Sequence, residues 1–300
     1  MRSAEKSLSG PRRAQPPTRP SPRRMNPVGD LLRGWRQRRG ISQIALALEA
    51  GISTRHLSYV ESGKAAGSRE VLMQLASALD LSLRDRNALL EAGGFARHYG
   101  ERDLAAPELA DTRRAIELLL RRHEPFPAVV TDRCWNILDA NAAAKRVIGH
   151  FLGEQRLAAP LNHMRLFLAP DQLRPFVENW PLLASALLAR ARHEAMAAPL
   201  DARLQSTWRE LSRLPGLPPL GAAEPDMPGP LCEVRLRSQA LAFGMIGAVL
   251  TLGTPQDVTL QDLRVELFMP ADAQSEAALA ALAANDAPAA PRAARTGWSG

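Results

Sequence analysis

From about residue 27 the apolar positions recur at helical spacing. Leu31, Leu32 and Trp35 fall on one face, and Gly40 ends that run. Ser42 is a good N-cap for a second helix, which turns Leu46 and Ala47 inward and stops at Gly51. Ser53 opens a third helix that runs to Glu61 and closes at Ser62-Gly63. A fourth carries Val71, Leu72, Leu75, Ala76 and Leu79, and a fifth covers about 83–92 before Gly93-Gly94. From residue 113 the pattern changes. Ile116, Leu119 and Leu120 mark a helix that Pro125 and Pro127 end. Residues 128–131 read as a strand and 135–138 as its partner, after a turn at Asp132-Arg133. Asn141 then caps an alanine-rich helix to Ile148. Several helices are expected between about 171 and 214, then a loop rich in proline and glycine to 230. Strands near 231–237, 241–252 and 264–268 follow, with a last helix over about 272–284. No internal repeat is visible.

These patterns predict an all-α domain of five helices over 25–99, a linker at 100–112 containing Pro107, and an α+β domain over 113–284. Residues 1–24 carry five prolines and six arginines with almost nothing to bury, and 285–300 are of low complexity; both are expected to be disordered. Met25, where the helical pattern opens, is expected to be the real translational start, with 1–24 a gene-calling artefact.

Composition narrows the class. The chain has 300 residues, 46% hydrophobic and 23% charged, enough for sizeable cores without disulfide or metal staples. Two cysteines, Cys134 and Cys232, and six scattered histidines offer neither a disulfide framework nor metal-ligand spacing, so no metal or cofactor is expected. Reduced cysteines point to the cytoplasm. The longest apolar run, 240–253, holds three glycines and falls short of the ~20 residues of a membrane helix, so no membrane span is expected. The net charge of +7 is unevenly spread. Residues 1–24 carry +6, 25–100 carry +3 and 101–300 carry −2. Bulk basicity is therefore a poor argument for an acidic partner; placement matters more.

The strongest placement lies at 42–64. Ala47 is small where two helices would cross, Gly51 supplies the turn, and Ile52 follows it as an apolar anchor. Leu57 and Val60 bury the inner face of the next helix. Its outer face presents Thr54, Arg55, Ser58 and Tyr59, residue types that can read base edges in a major groove. Gln43 opens the preceding helix and is placed to hold a phosphate, as are Lys64 and Arg69 beyond the recognition helix. A protein-docking role for such a helical domain is the rival reading; the turn chemistry and the base-compatible face favour double-stranded DNA.

The residues Ser42-Gln43, Leu46-Ala47, Ala50-Gly51-Ile52-Ser53, Leu57 and Glu61-Ser62-Gly63-Lys64 resemble the XRE (Cro/C1-like) helix-turn-helix family over about 28–83. The resemblance implies a lambda-repressor-like fold and a pair between a basic residue of the first helix and the glutamate ending the third, here Arg36 and Glu61. Two features depart from it. Ala65-Ala66-Gly67 stands where many relatives have proline. Ile44 and Leu48 are apolar where the family is often polar, and are expected to pack on the fifth helix or on a second subunit.

The second domain has no GxSxG elbow, HExxH or P-loop, and no enzyme is expected. Glu266 and Asp272 read as a strand residue and a helix cap, and Cys134 as a buried, inert thiol. The run 136–144 resembles the strand-to-helix corner of PAS domains. The pieces Pro127-Ala128-Val129-Val130, Asp139-Ala140-Asn141, 162–167 and 253–260, together with the N-terminal motifs, resemble the MmyB-like transcriptional regulators over about 28–282. That resemblance implies a PAS-like ligand-binding domain and, for some members, a fatty-acyl or similar apolar effector. Trp135, Met164, Phe167, Phe176, Trp180 and Phe243 can line such a pocket or fill a dry core. The residue pattern alone favours core, so the resemblance carries the ligand. Arg165 is a candidate partner for a ligand carboxylate. The whole reads as a homodimeric regulator; a scaffold that binds protein instead of ligand, or an enzyme fused to a DNA-binding domain, are the alternatives.

Overall fold

Side-chain caps start four of the first helices. In the computed structural model, which describes residues 26–219 and 231–284, Asn26 accepts from the Gly29 amide to open α1 (Pro27–Arg38). Ser42, Ser53 and Ser68 likewise accept from residues three positions on. They open α2 (Gln43–Glu49), α3 (Thr54–Ser62) and α4 (Arg69–Ala78). The expectations for 1–24, Met25 and 285–300, and most of the loop before 230, lie outside the described residues.

The chain divides into two compact units. One holds 26–80 with 89–96, the other 81–88 with 97–284, and the division passes through α5 (Leu83–Ala92). In the first unit Leu32, Trp35, Leu46, Ala47, Leu57, Val60, Leu72, Leu75, Leu79, Leu89 and Leu90 are buried together. Gly51 stands at φ +67 in the turn between α2 and α3, a left-handed backbone that a side chain disfavours. Gly29 serves a different purpose. A methyl group there would meet the Asn26 amide and the Glu61 carbonyl, so its absence lets α1 close on the end of α3. Gly29→Ala is expected to destabilise this unit by about 1–3 kcal/mol through overpacking. Urea unfolding checks it; an unchanged midpoint would refute the close approach. Ile44 and Leu48 do not pack on the fifth helix. They are 70% and 81% exposed, because both project from the side of α2 opposite Leu46 and Ala47.

The second unit is built on one antiparallel sheet. Its strands are β1 (Ala128–Thr131), β2 (Ile137–Ala140), β3 (Glu233–Arg237), β4 (Ala242–Leu250) and β5 (Arg264–Pro270), in the order β2-β1-β5-β4-β3. β1 is buried along its whole length because both faces of the sheet are covered. Ala128 and Val130 pack with Ile116 and Leu120 of α6 (Ala110–Arg122). Val129, on the other face, packs with α7 (Ala142–Leu152) through Ala144, Val147, Ile148 and Phe151, and with Leu166 and Phe167 of α8 (His163–Leu168). Two further helices, α9 (Trp180–Ala197) and α10 (Ala202–Leu211), complete the insertion between β2 and β3. α11 (Val258–Asp262) precedes β5, and α12 (Ala273–Ala284) follows it. Asp272 caps that last helix through the Ser275 amide at 2.7 Å.

One expected strand starts two residues late. The Asp132 carboxylate accepts from the Cys134 and Asn136 amides, at 2.8 and 2.9 Å, and lengthens the turn. Trp135 therefore leaves the ladder, at φ +62, and buries its ring in a separate core. The stretch 100–112 is bonded along its own unit. Gly100 accepts from Val258, Arg102 pairs with Asp257 at 2.8 Å, and a 3-10 turn at Pro107–Leu109 leads into α6.

Candidate nucleic-acid interface and ligand-binding core

In the first unit the outer face of α3 stands on a hydrogen-bonded base. Glu61, at the end of α3, is 2% exposed. Its carboxylate accepts from Arg36 Nε and Nη2, at 2.7 and 3.0 Å, and from Gln43 Nε2 at 2.7 Å. The pair implied by the family resemblance therefore forms, and it recruits a third residue. Burial alone would raise the Glu61 carboxyl; hydrogen bonds from Arg36 and Gln43, with the charges of Arg36 and Arg33, outweigh it and hold the group below its ordinary value. Gln43 thus has one amide hydrogen committed inside the protein, and the network locks α1, α2 and α3 in register.

On the outer face of α3, Thr54 and Arg55 are exposed, while Ser58 and Tyr59 are half-buried. Tyr59 organises its neighbours. Its hydroxyl accepts from Arg55 Nε at 3.1 Å, the Arg55 guanidinium lies 5.3 Å from its ring centroid, and Lys64 Nζ lies 5.9 Å from it. Lys64 is exposed just past the helix, and Arg69 is exposed at the first position of α4. All seven residues expected to meet DNA lie in this unit; Arg55, Tyr59 and Lys64 are in contact with one another, and Gln43 faces inward to Glu61.

The six residues expected around a ligand are not brought to one place. Trp135 and Met164 sit with Leu168, Ala184, Leu188 and Leu204 in a core between α8, α9 and α10. Phe167 and Phe243 belong to the core on the sheet, with Phe176 against it. Trp180 borders both cores, its indole donating to the Phe167 carbonyl and stacking on Arg174 at 3.7 Å. An apolar cavity of about 30 Å³ lies on the sheet, lined by Val129, Val147, Ile148, Phe167, Met245 and Phe268 among others. Of the six, Phe167 alone lines it. Arg165 points to solvent from α8, whose inner face is apolar. Cys134 is buried, and burial together with Asp132 pushes its thiol up, which suits an inert group.

Two polar groupings in this unit had no sequence signal, since their members lie far apart along the chain. Arg84 pairs with Glu101 and Asp262 at 2.7 and 2.9 Å, beside Arg133, Asp201 and Arg203, around a cleft of about 500 Å³. Deeper, Glu266 takes both terminal nitrogens of Arg190, at 2.6 and 3.2 Å. Among the described residues no group of three or more ligating side chains could hold a metal ion, and no helix is long and apolar enough to cross a membrane.

Residues 112–282 match the family model of the MmyB-like transcription regulator ligand binding domain, and residues 32–85 match a helix-turn-helix family model. One similar solved structure is the restriction-modification controller protein C.AhdI from Aeromonas hydrophila. It is 34% identical over 20% of this chain and 89% of its own, with a TM-score of 0.19. A search of curated proteins returned no match.

Proposed function

The chain belongs to the MmyB-like transcription regulators, with an XRE-like helix-turn-helix ahead of the ligand-binding domain, and from that premise we propose how it works. Residues 25–99 read an operator as a homodimer on a two-fold site in the cytoplasm, and residues 113–284 bind an apolar effector in a PAS-like fold. The observation that carries the DNA reading is the Arg55–Tyr59–Lys64 cluster on the outward face of a helix braced by Glu61. Tyr59 holds the Arg55 fork off the helix, ready for a guanine edge, while Thr54 and Ser58 make the shorter contacts. Lys64, Arg69 and the second amide hydrogen of Gln43 meet phosphates and set the register.

The experiment is binding of the full chain to selected operator sequences across a salt series. Arg55→Ala is expected to relax base preference at one position, at a cost of about 1–3 kcal/mol. Lys64→Ala is expected to weaken all sequences alike and to reduce the salt slope by about 1. Unchanged operator choice in Arg55→Ala would refute the assignment.

The ligand half of the proposal follows from the size of the cavity. About 30 Å³ is room for one or two waters, far less than an acyl chain needs. An acyl effector therefore needs the sheet core to part. It binds one of two states, and only such differential binding lets it shift DNA affinity. The same small cavity favours a second reading, a scaffold that binds no ligand. A melting shift with decane or a fatty acid supports the effector; no shift with any apolar compound supports the scaffold. The role is non-enzymatic in either case, and turnover of a substrate by the full chain would refute that.

A further inference from the structure

The sheet core holds a polar group with nothing to bind. His163, the first residue of α8, is 4% exposed, and neither ring nitrogen has a hydrogen-bond partner. Its ring meets Phe167 edge-on at 5.5 Å and Phe268 at 5.8 Å, and both phenyl rings line the apolar cavity. Thr131 adds a second such group. It is fully buried, and its hydroxyl has no partner. It lies two residues beyond Val129, another cavity residue, and on the same sheet face. Val129 pairs with Glu266 and Thr131 with Arg264, so that face also carries Glu266. Buried polar groups are normally satisfied, and an unpaired one costs about 1–3 kcal/mol. Neither lines the cavity itself, but His163 backs two of its rings and Thr131 shares a sheet face with Val129, so both stand next to it and offer a polar end once the core parts.

Charge decides what that end accepts. Arg190 gives two hydrogen bonds to Glu266 and its Nε to Glu194 at 3.1 Å. The charges that act on the His163 ring are one of each sign, Glu266 and Arg190, and that guanidinium is already taken by carboxylates. Burial pushes the His163 imidazole below its ordinary value; Glu266 pulls against this and Arg190 adds to it. The ring is neutral, with one N–H to give and one lone pair to accept. A carboxylate only accepts, and would itself be a charge buried at low dielectric, with Arg190 already held by Glu266 and Glu194.

We propose that the effector of this domain carries an uncharged head group that both donates and accepts, a hydroxyl or an amide, bound by His163 and Thr131 beside the Arg190–Glu266 pair. This rests on the apolar-ligand reading above.

Affinities of the full chain for decane, decan-1-ol, decanamide and decanoate at neutral pH, read by melting shift and native mass spectrometry, test it. The alcohol and the amide are expected to bind about tenfold tighter than decanoate, the ratio one added hydrogen bond supplies. His163→Phe keeps the edge-on ring packing and is expected to bring both down to the affinity of decane, leaving decane unchanged. Thr131→Val, of similar shape, is expected to weaken both by a smaller factor and serves if His163→Phe does not fold. Decanoate binding as tightly as the alcohol, or both variants keeping full alcohol affinity, would overturn the head-group assignment alone. If none of the four compounds binds, decane included, the apolar-ligand reading falls and the assignment with it.

Discussion

Glu61→Ala is expected to cost the DNA-binding unit about 3–5 kcal/mol, the range for removing one partner of a buried ion pair. The carboxylate holds Arg36 of α1 by two hydrogen bonds and Gln43 of α2 by a third, while the Glu61 carbonyl accepts from Arg33 and Asn26. Alanine keeps the carbonyl bonds and deletes the other three. The Arg36 side chain is only 13% exposed, so its charge would be left partly desolvated, with the Ile41 carbonyl at 3.1 Å as its remaining partner. Glu61→Gln preserves shape and one acceptor, and should lose about half as much. Urea unfolding followed by hydrogen exchange over 26–80 measures both; a loss below about 1 kcal/mol for alanine would remove the network from the account.

The same residue sets an acid limit. Its carboxyl is held below the ordinary glutamate value when folded. The stability it contributes is present above the unfolded value of ~4.3 and is lost as pH falls through the lowered folded one. The unit should be flat in stability down to about pH 5 and weaken below about pH 4, and Glu61→Gln should flatten that slope.

Asn141→Ala is expected to cost the ligand-binding unit about 4 kcal/mol. The side chain is 6% exposed and makes four hydrogen bonds. Its Oδ1 accepts from the amides of Ala144, in the first turn of α7, and Ala128, at the start of β1. Its Nδ2 donates to the carbonyls of Phe126 and Leu120, the latter near the end of α6. One residue thus ties two helices and a strand. Alanine would lose a cap worth ~1 kcal/mol and strand buried backbone groups at ~1–3 kcal/mol each. Asn141→Asp keeps the acceptor, loses both donors and buries a charge, so it should recover little. Urea unfolding of the second unit tests this. A midpoint in Asn141→Ala equal to wild type would refute the tie.

Much of this was legible in the residues themselves. The helix-turn-helix shows in Ser42, Gly51, Ser53 and Gly63, because caps act over three residues and a positive φ belongs to one residue at a time. The Asn141 cap, β1 and the antiparallel end of the sheet show for the same reason. The Arg36–Glu61 pair needed the family resemblance, since 25 residues separate its members. Trp135 was misplaced because its apolar character fits a strand as well as a turn. What separates the two is a pair of hydrogen bonds to Asp132.

The sequence by itself therefore determined most of the local elements and their order, though not α8 or α11, together with the two kinds of domain and the residues that face outward on α3. Those follow from short-range terms: periodicity, capping and backbone sterics. Only the tertiary structure decided which distant groups meet. It turned Gln43 toward Glu61, divided Trp135 and Met164 from Phe167 between two cores, left Ile44 and Leu48 exposed, and set His163 near an ion pair whose partners are 76 residues apart. Apolar residues carry no address in the sequence, because hydrophobic burial is non-directional. Which core receives each of them is settled by the register of the sheet and the packing of the inserted helices.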